Sequence, residues 1–169
     1  GMHNAWLSAD KKYIVDVTST VADAPVAVLR NAETGELVMD LETADISEIV
    51  ANGWKAPEVF VAKGRDGKTD MWGIIIRPTN FDPSKKYPIL EYIYSGPGDH
   101  YVPKSFFSFN RYMSAIAELG FIVVQVDCMG TSYRSKEFEE VCYKNLKDAG
   151  IPDRKLWIKA AAEKYPYMD

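Results

Sequence analysis

Short runs of alternating apolar and polar residues fill the first part of the chain. Apolar side chains fall on every second position within residues 12–19, and two further β-rich runs cover 24–29 and 36–41, separated by turn residues at 31–35. The pattern predicts an antiparallel meander of three or four short strands. Such a meander has the size of one β-propeller blade, about 40 residues, and a single blade cannot bury both of its faces alone.

A change of pattern follows the meander. Residues 45–52 place apolar side chains at helical spacing, and Gly53 follows as a stop signal, so we predict a linker helix. Beyond it, longer apolar strands alternate with amphipathic helices. This change predicts a first domain over residues 1–52 and a second over residues 53–169.

The second domain has the pattern of an α/β fold. We predict strands at 57–63, 69–77, 87–95 and 121–127, and helices at 108–119, 135–144 and 151–163. A glycine-containing turn joins the first two strands, as in an antiparallel hairpin. A long loop and a helix separate the last two, so handedness rules predict a right-handed crossover between parallel strands.

Composition narrows the range of partners. The 169 residues are 47% hydrophobic with a formal net charge of −4, and no basic run could follow a phosphate backbone, so nucleic acid is not expected. The apolar runs are far shorter than the roughly 20 residues of a membrane-spanning helix, so no membrane association is expected either. Two cysteines and two histidines are too few for a four-ligand zinc site, and we expect neither metal nor cofactor.

Candidate chemistry lies where two predicted strands end. Residues 94–100 lie at the carboxyl end of one strand and contain Gly96 and Gly98, but a third glycine and an opening helix are missing, which argues against a dinucleotide loop. Two interpretations stay open for this segment: a loop that presents an oxyanion donor, or an ordinary connection that requires glycines.

The second strand end offers a thiol. Cys128 follows the strand at 121–127, and His100 is the one histidine of the α/β region, so a cysteine hydrolase is a further hypothesis. A free cysteine is more often a small buried residue than a nucleophile. The sequence contains no G-x-S-x-G motif, so it contains no recognisable serine nucleophile.

Four segments carry a resemblance to a known family. They are Tyr13-Ile14-Val15-Asp16, the run Met71-Trp72-Gly73-Ile74-Ile75-Ile76-Arg77-Pro78, the loop Tyr94-Ser95-Gly96-Pro97, and Gly120-Phe121-Ile122-Val123-Val124 with Asp127. In this order they resemble the prolyl oligopeptidase serine peptidases, and specifically the dipeptidyl-peptidase-IV-like branch. The resemblance implies the N-terminal half of an α/β-hydrolase domain, preceded by the last blade of a β-propeller.

The resemblance also implies roles for single residues. In the family, the tyrosine of the Tyr-x-Gly-Pro loop donates its hydroxyl to the oxyanion, which makes Tyr94 the candidate donor here. Asp127 and Gly130 match the family's Asp-x-Arg-Gly turn, whereas Met129 stands where the family usually has arginine. The nucleophile and the remaining triad residues are expected beyond Asp169, and export to the periplasm or the cell exterior is suggested by the resemblance alone.

Two hypotheses about function follow. The first is a section of a serine peptidase that hydrolyses peptides in the longer protein and is inactive alone. The second is a stand-alone interaction module without catalysis, favoured if the reading frame ends after Asp169. Under the first hypothesis, we expect the apolar strand at 121–127 to lie at a sheet edge and to promote self-association.

Overall fold

A computed structural model describes residues 1–148 and 150–169. The chain forms two compact units. The first contains Gly1–Ala56 and Pro103–Ser108, and the second contains Pro57–Val102 and Phe109–Asp169.

The first unit is a four-stranded antiparallel sheet. Its strands are β1 (Met2–Leu7), β2 (Tyr13–Ser19), β3 (Val26–Asn31) and β4 (Leu37–Thr43), and they pair in chain order. The predicted meander is therefore confirmed. The short helix α1 (Ser47–Ala51) follows it, within the predicted 45–52.

One buried carboxylate joins three of these strands. Asp16 on β2 is 6% exposed, and it accepts a hydrogen bond from Arg30 Nε at 3.1 Å, while His3 Nδ1 lies 2.9 Å away. The hydrogen bond with His3 is the main reason that the pKa of Asp16 lies below its ordinary value. Large apolar side chains of the outer strands stay exposed, namely Trp6, Leu7, Leu37, Val38, Met39 and Leu41.

The second unit contains a mixed sheet. Its strands are β5 (Glu58–Lys63), β6 (Asp70–Ile76), β7 (Ile89–Glu91) and β8 (Ile122–Asp127), in the order β5-β6-β8-β7. The β5–β6 and β6–β8 pairs are antiparallel, whereas β7 and β8 are parallel. The hairpin and the parallel crossover are thus as predicted.

The expectation that the strand at 121–127 forms a sheet edge is wrong. β8 lies between β6 and β7, and all six of its residues are buried. A strand that is apolar on both faces is stabilised when both of its faces and both of its edges are covered. β7 covers one edge of β8, and β6 covers the other by pairing antiparallel with it.

The outer side of β7 is covered where the strand begins. Tyr87 N donates to Tyr167 O at 2.8 Å, Asp169 N donates to Tyr87 O at 2.9 Å, and Ile89 N donates to Asp169 O at 3.1 Å. Residues 167–169 therefore run beside the start of β7, with a parallel bridge between Tyr87 and Met168.

The helices are α2 (Met113–Glu118), α3 (Lys136–Glu140) and α4 (Ile151–Lys164). The prediction of a helix from residue 108 is wrong in its first turn. The side-chain oxygen of Asn110 accepts hydrogen bonds from the amides of Tyr112 and Met113, which delays the helix to Met113. Phe109 and Tyr112 are consequently 60% exposed and do not belong to a buried stripe.

The core of the second unit forms where α4 packs on the sheet. Trp157 is fully buried, its ring lies 5.1 Å from that of Phe60 in an edge-to-face arrangement, and its Nε1 donates to Phe60 O at 3.2 Å. Gly73 on β6 permits this approach, because a Cβ atom there would lie 2.6 Å from Trp157 Cζ2. Of the described helices, none has the length and apolar composition that a bilayer crossing requires.

A charged cluster fixes the β5–β6 turn to the start of α4. Arg65 donates to both oxygens of Asp148, at 2.7 and 2.8 Å, and its Nη2 donates to Asp153 Oδ2 at 2.7 Å. Asp153 is fully buried and also accepts the backbone amide of Arg65 at 2.8 Å. We call Arg65, Asp148 and Asp153 the turn clamp.

Candidate active site

Two loops meet beyond the carboxyl ends of β7 and β8. The first covers residues 92–102 and the second covers residues 128–133. Parallel neighbouring strands bring their carboxyl ends to the same edge of a sheet, which is where open α/β sheets place their ligand loops. The sequence-predicted residues of both strand ends lie in or beside these loops.

The predicted strand at 87–95 is wrong beyond Glu91. Tyr92 N still donates to Val124 O at 2.9 Å, and the chain then leaves the sheet. Gly96 and Gly98 have φ angles of 102° and 116°, in the left-handed region that strands do not use and that glycine adopts without strain. Tyr94 is therefore a loop residue, two positions before the first of these turns.

Asp127, at the end of β8, holds the first loop through hydrogen bonds to its backbone. Its Oδ1 accepts hydrogen bonds from the backbone amides of Tyr101, at 2.8 Å, and Val102, at 3.1 Å. Asp127 is 5% exposed and belongs to the central strand of the sheet, so the loop is attached to a rigid element.

Ser132 makes a second connection between the loops. Its hydroxyl accepts a hydrogen bond from Gly98 N at 2.8 Å, and its amide donates to Asp99 O at 3.1 Å. These two hydrogen bonds, one to the Ser132 side chain and one between backbone groups, connect the loops, so the position of each loop depends on the other.

Tyr94 projects from this assembly and is 61% exposed. Its ring centroid lies 4.5 Å from that of Tyr101, with the ring planes inclined by 60°. An exposed phenol at the carboxyl end of a parallel strand can donate its hydroxyl to a bound carbonyl oxygen. Its role as oxyanion donor stays a prediction.

The cysteine-hydrolase hypothesis does not fit the structure. Cys128 is 1% exposed, within the core cluster of the second unit, and burial raises the pKa of its thiol far above the ordinary value. A nucleophilic cysteine needs access and a lowered pKa. His100 Nδ1 lies 3.6 Å from Asp99 Oδ1, and its ring packs 5.4 Å from that of Tyr133.

Met129 occupies the arginine position of the Asp-x-Arg-Gly turn. It is 9% exposed and packs in the same core cluster as Cys128. It also lines a cavity of about 350 Å³ together with Arg134 and Phe138. The Arg134 guanidinium lies 4.5 Å from the centroid of the Phe138 ring. The cavity is therefore lined by an arginine, although Met129 stands at the position where the family usually has arginine.

A buried ion pair beneath the first loop escaped the sequence analysis. Glu91, the last residue of β7, accepts a hydrogen bond from Arg154 of α4, and the Arg154 side chain is 1% exposed. Burial raises the pKa of Glu91, and the charge of Arg154 opposes that rise. The local sequence signal for this pair is Glu91 itself, a charged residue at the end of an apolar strand. Its partner Arg154 lies 63 positions away in the sequence. Within the part of the chain that the structure describes, no cluster of three or more metal-ligating side chains occurs.

The chain is similar to known proteins in sequence and in fold. The family model for the prolyl oligopeptidase family matches residues 107–169. The chain is 31% identical over 139 residues to prolyl endopeptidase FAP of Mus musculus, covering 82% of this chain and 18% of that protein. It is 29% identical over 114 residues to human dipeptidyl peptidase 8, covering 67% of this chain and 13% of that protein.

Solved structures are similar over the full chain. The crystal structure of Porphyromonas gingivalis dipeptidyl peptidase 4 superposes with a TM-score of 0.78 at 25% identity, covering 100% of this chain and 24% of that one. A Bacteroides ovatus structure named for dipeptidyl aminopeptidase IV gives a TM-score of 0.82 at 29% identity, covering 99% and 24%. The chain therefore spans no more than about a quarter of the proteins that it matches.

Proposed function

Because the chain belongs to the prolyl oligopeptidase family, in its dipeptidyl-peptidase-IV-like branch, we propose that it is a section of a serine peptidase that hydrolyses peptide bonds. In this proposal, residues 1–52 are the last propeller blade and a linker helix, and residues 53–169 are the N-terminal part of the α/β-hydrolase domain. The strand order β5-β6-β8-β7, with a parallel pair at one side, supports that assignment.

The single observation that carries the proposal is the placement of Tyr94. Its exposed phenol stands beyond the carboxyl end of β7, on a loop that Asp127 and Ser132 connect to the neighbouring strand end. A hydroxyl in this position can donate to an oxyanion without displacing any core side chain.

The proposed chemistry is acyl transfer: a C–O bond to serine forms, the peptide C–N bond breaks, the amine leaves with the proton that serine gave to a base outside residues 1–169, and water hydrolyses the acyl-enzyme. A serine supplied outside residues 1–169 attacks the peptide carbonyl, and the carbonyl oxygen becomes negatively charged in the tetrahedral intermediate. Tyr94 donates its hydroxyl to that oxygen, so its hydrogen bond strengthens as charge develops, which lowers the barrier more than it tightens substrate binding. Peptides are the proposed partners of the whole enzyme.

Activity measurements on two proteins test the proposal: this chain and the product of the longer reading frame that contains it. We expect the longer protein to react with a fluorophosphonate at one serine and to hydrolyse dipeptide nitroanilides, and the isolated chain to do neither. Labelling of the isolated chain at any serine, with turnover above buffer, would contradict the proposal.

The role of Tyr94 is tested in the longer protein. Tyr94→Phe should lower kcat by about 10²–10³ and leave KM almost unchanged, because the lost hydrogen bond acts mainly in the transition state. Tyr112→Phe is the matched control, since Tyr112 is almost as exposed as Tyr94, belongs to neither loop, and keeps as Phe the ring that stacks on Tyr92. Equal kcat values for both variants would show that Tyr94 is not the donor, and inactivity of the unmodified protein would favour an interaction module.

A further inference from the structure

Tyr94 lies on a loop without regular secondary structure, and a second tyrosine of the same loop contacts its ring. Tyr101 follows it by seven positions, and the two centroids are 4.5 Å apart in a tilted arrangement. Tilted aromatic pairs at this distance attract each other beyond the area that they bury. The Tyr101 ring therefore restricts the directions in which the Tyr94 phenol can point.

Tyr101 is itself held at its backbone. Its amide and that of Val102 both donate to Asp127 Oδ1, at 2.8 and 3.1 Å. A carboxylate that accepts two amide hydrogen bonds forms stronger bonds than a neutral acceptor, and Asp127 is 5% exposed at the end of the central strand β8. The position of Tyr101 is thus set by the most buried strand of the sheet.

We infer that Tyr101 and Asp127 are positioning residues for the Tyr94 hydroxyl: Asp127 fixes the backbone of Tyr101, and the Tyr101 ring orients Tyr94. This inference rests on the proposed function, since it concerns the donor of the proposed reaction. Neither residue contacts the substrate in this scheme.

The expected cost of losing this support is moderate. An oxyanion donor acts only when its hydroxyl lies within hydrogen-bond distance of the developing charge, and a misplacement of about 1 Å can lower a rate by roughly 10²-fold. Tyr101→Ala should therefore lower kcat roughly 10- to 100-fold. Tyr101→Phe keeps the ring and should retain most of the activity, because the hydroxyl contact of Tyr101 with Gly96 O is long, at 3.5 Å.

A double-mutant cycle in the longer protein separates positioning from a general effect on folding. If Tyr101 acts through the Tyr94 hydroxyl, Tyr101→Ala should change kcat by no more than about twofold once Tyr94→Phe is present. End-point labelling with a fluorophosphonate should stay at one equivalent in every variant. Tyr143→Ala, which truncates an exposed tyrosine that belongs to neither loop, is the control for loss of a ring.

The Asp127 step has its own test. Asp127→Ala removes the acceptor of both amides and should lower kcat as Tyr101→Ala does, whereas Asp127→Asn keeps a side-chain oxygen that can accept them and should recover most of the activity. Both losses should be absent in the Tyr94→Phe background.

The outcomes are distinguishable. If the unmodified longer protein is inactive, the proposed function fails and this inference fails with it. If the protein is active but Tyr101→Ala costs the same factor with and without the Tyr94 hydroxyl, the positioning role is wrong and the proposed function stands. Loss of labelling stoichiometry in Tyr101→Ala, with no rescue by Tyr101→Phe, would also overturn the positioning role.

Discussion

The turn clamp gives a sharp prediction about stability. Arg65→Ala removes every side-chain hydrogen bond that the guanidinium donates to Asp148 and Asp153, and it leaves the fully buried Asp153 carboxylate without its cationic partner. Removing one partner of a buried ion pair costs about 3–5 kcal/mol. Because the Arg65 side chain is 26% exposed, water can partly replace it, and we expect the lower end of that range, about 3 kcal/mol.

Urea denaturation of the chain, followed by tryptophan fluorescence, measures this loss through the buried Trp157 of α4. The matched control is Lys63→Ala in the same hairpin, because Lys63 and Asp70 also form an ion pair but are 58% and 42% exposed. An exposed pair contributes about 0–1 kcal/mol, so the control should cost far less.

The loss should depend on pH in a defined direction. The hydrogen bonds from Arg65 hold the pKa of Asp148 below its ordinary value in the folded chain, whereas an unfolded aspartate has a pKa of about 3.9. A lowered folded pKa stabilises the fold above the unfolded pKa, and this contribution disappears as the pH falls through the folded pKa. The stability difference between the unmodified chain and Arg65→Ala should therefore be constant near neutral pH and shrink below about pH 4.

Two results would refute this reasoning. One is an Arg65→Ala loss no larger than that of Lys63→Ala. The other is strict additivity in Arg65→Ala/Asp153→Ala, because removal of both partners eliminates the unpaired charge and should cost less than the sum of the single losses. If Arg65→Ala does not fold, Arg65→Lys, which keeps the charge but lacks the fork of donors, supplies an intermediate case.

Three further predictions follow from packing. Gly73→Ala should destabilise the second unit by about 1–3 kcal/mol, because the new Cβ would meet Trp157 and the Gln125 carbonyl at less than 3 Å; an unchanged urea midpoint would contradict it. Cys128 and Cys142 are both buried, so Ellman's reagent should modify neither until the chain unfolds, and fast labelling of native protein would show an open core. Within the described residues, β1 and β4 each pair on one side only and carry exposed apolar side chains, so sedimentation equilibrium should reveal self-association; a monomer at all concentrations would contradict it.

Local pattern predicted the strands better than the loops. The runs that became β2, β5, β6 and β8 have a clear period of two or an unbroken apolar core, and these signals survive in the fold. The sequence at 92–94 is equally aromatic and β-branched, yet it leaves the sheet, because glycine turns and hydrogen bonds to a distant strand end determine its course. β-propensity describes a fit to a pleated surface, and it cannot show where that surface ends.

The candidate site was predictable only in part for the same reason. Tyr94 and Asp127 carry the family resemblance, so the sequence identified them. Tyr101 carries no such signal, since its importance comes from a carboxylate 26 positions away. The turn clamp joins residues 83 and 88 positions apart, and no local window of sequence contains both partners.

The strand order has a consequence for the time at which the site can form during synthesis. β5 and β6 are neighbours in the chain and can pair as soon as both have left the ribosome, but β7 does not pair with β6 and joins the sheet through β8. β7 and the Tyr94 loop are synthesised before β8, so they stay outside the sheet until translation has passed Asp127. Only then can β8 pair with β6 on one side and with β7 on the other. In any shorter nascent chain, the proposed oxyanion donor belongs to a segment that has no strand partner. A chaperone or protease at the tunnel exit would therefore meet this segment before it has joined the sheet.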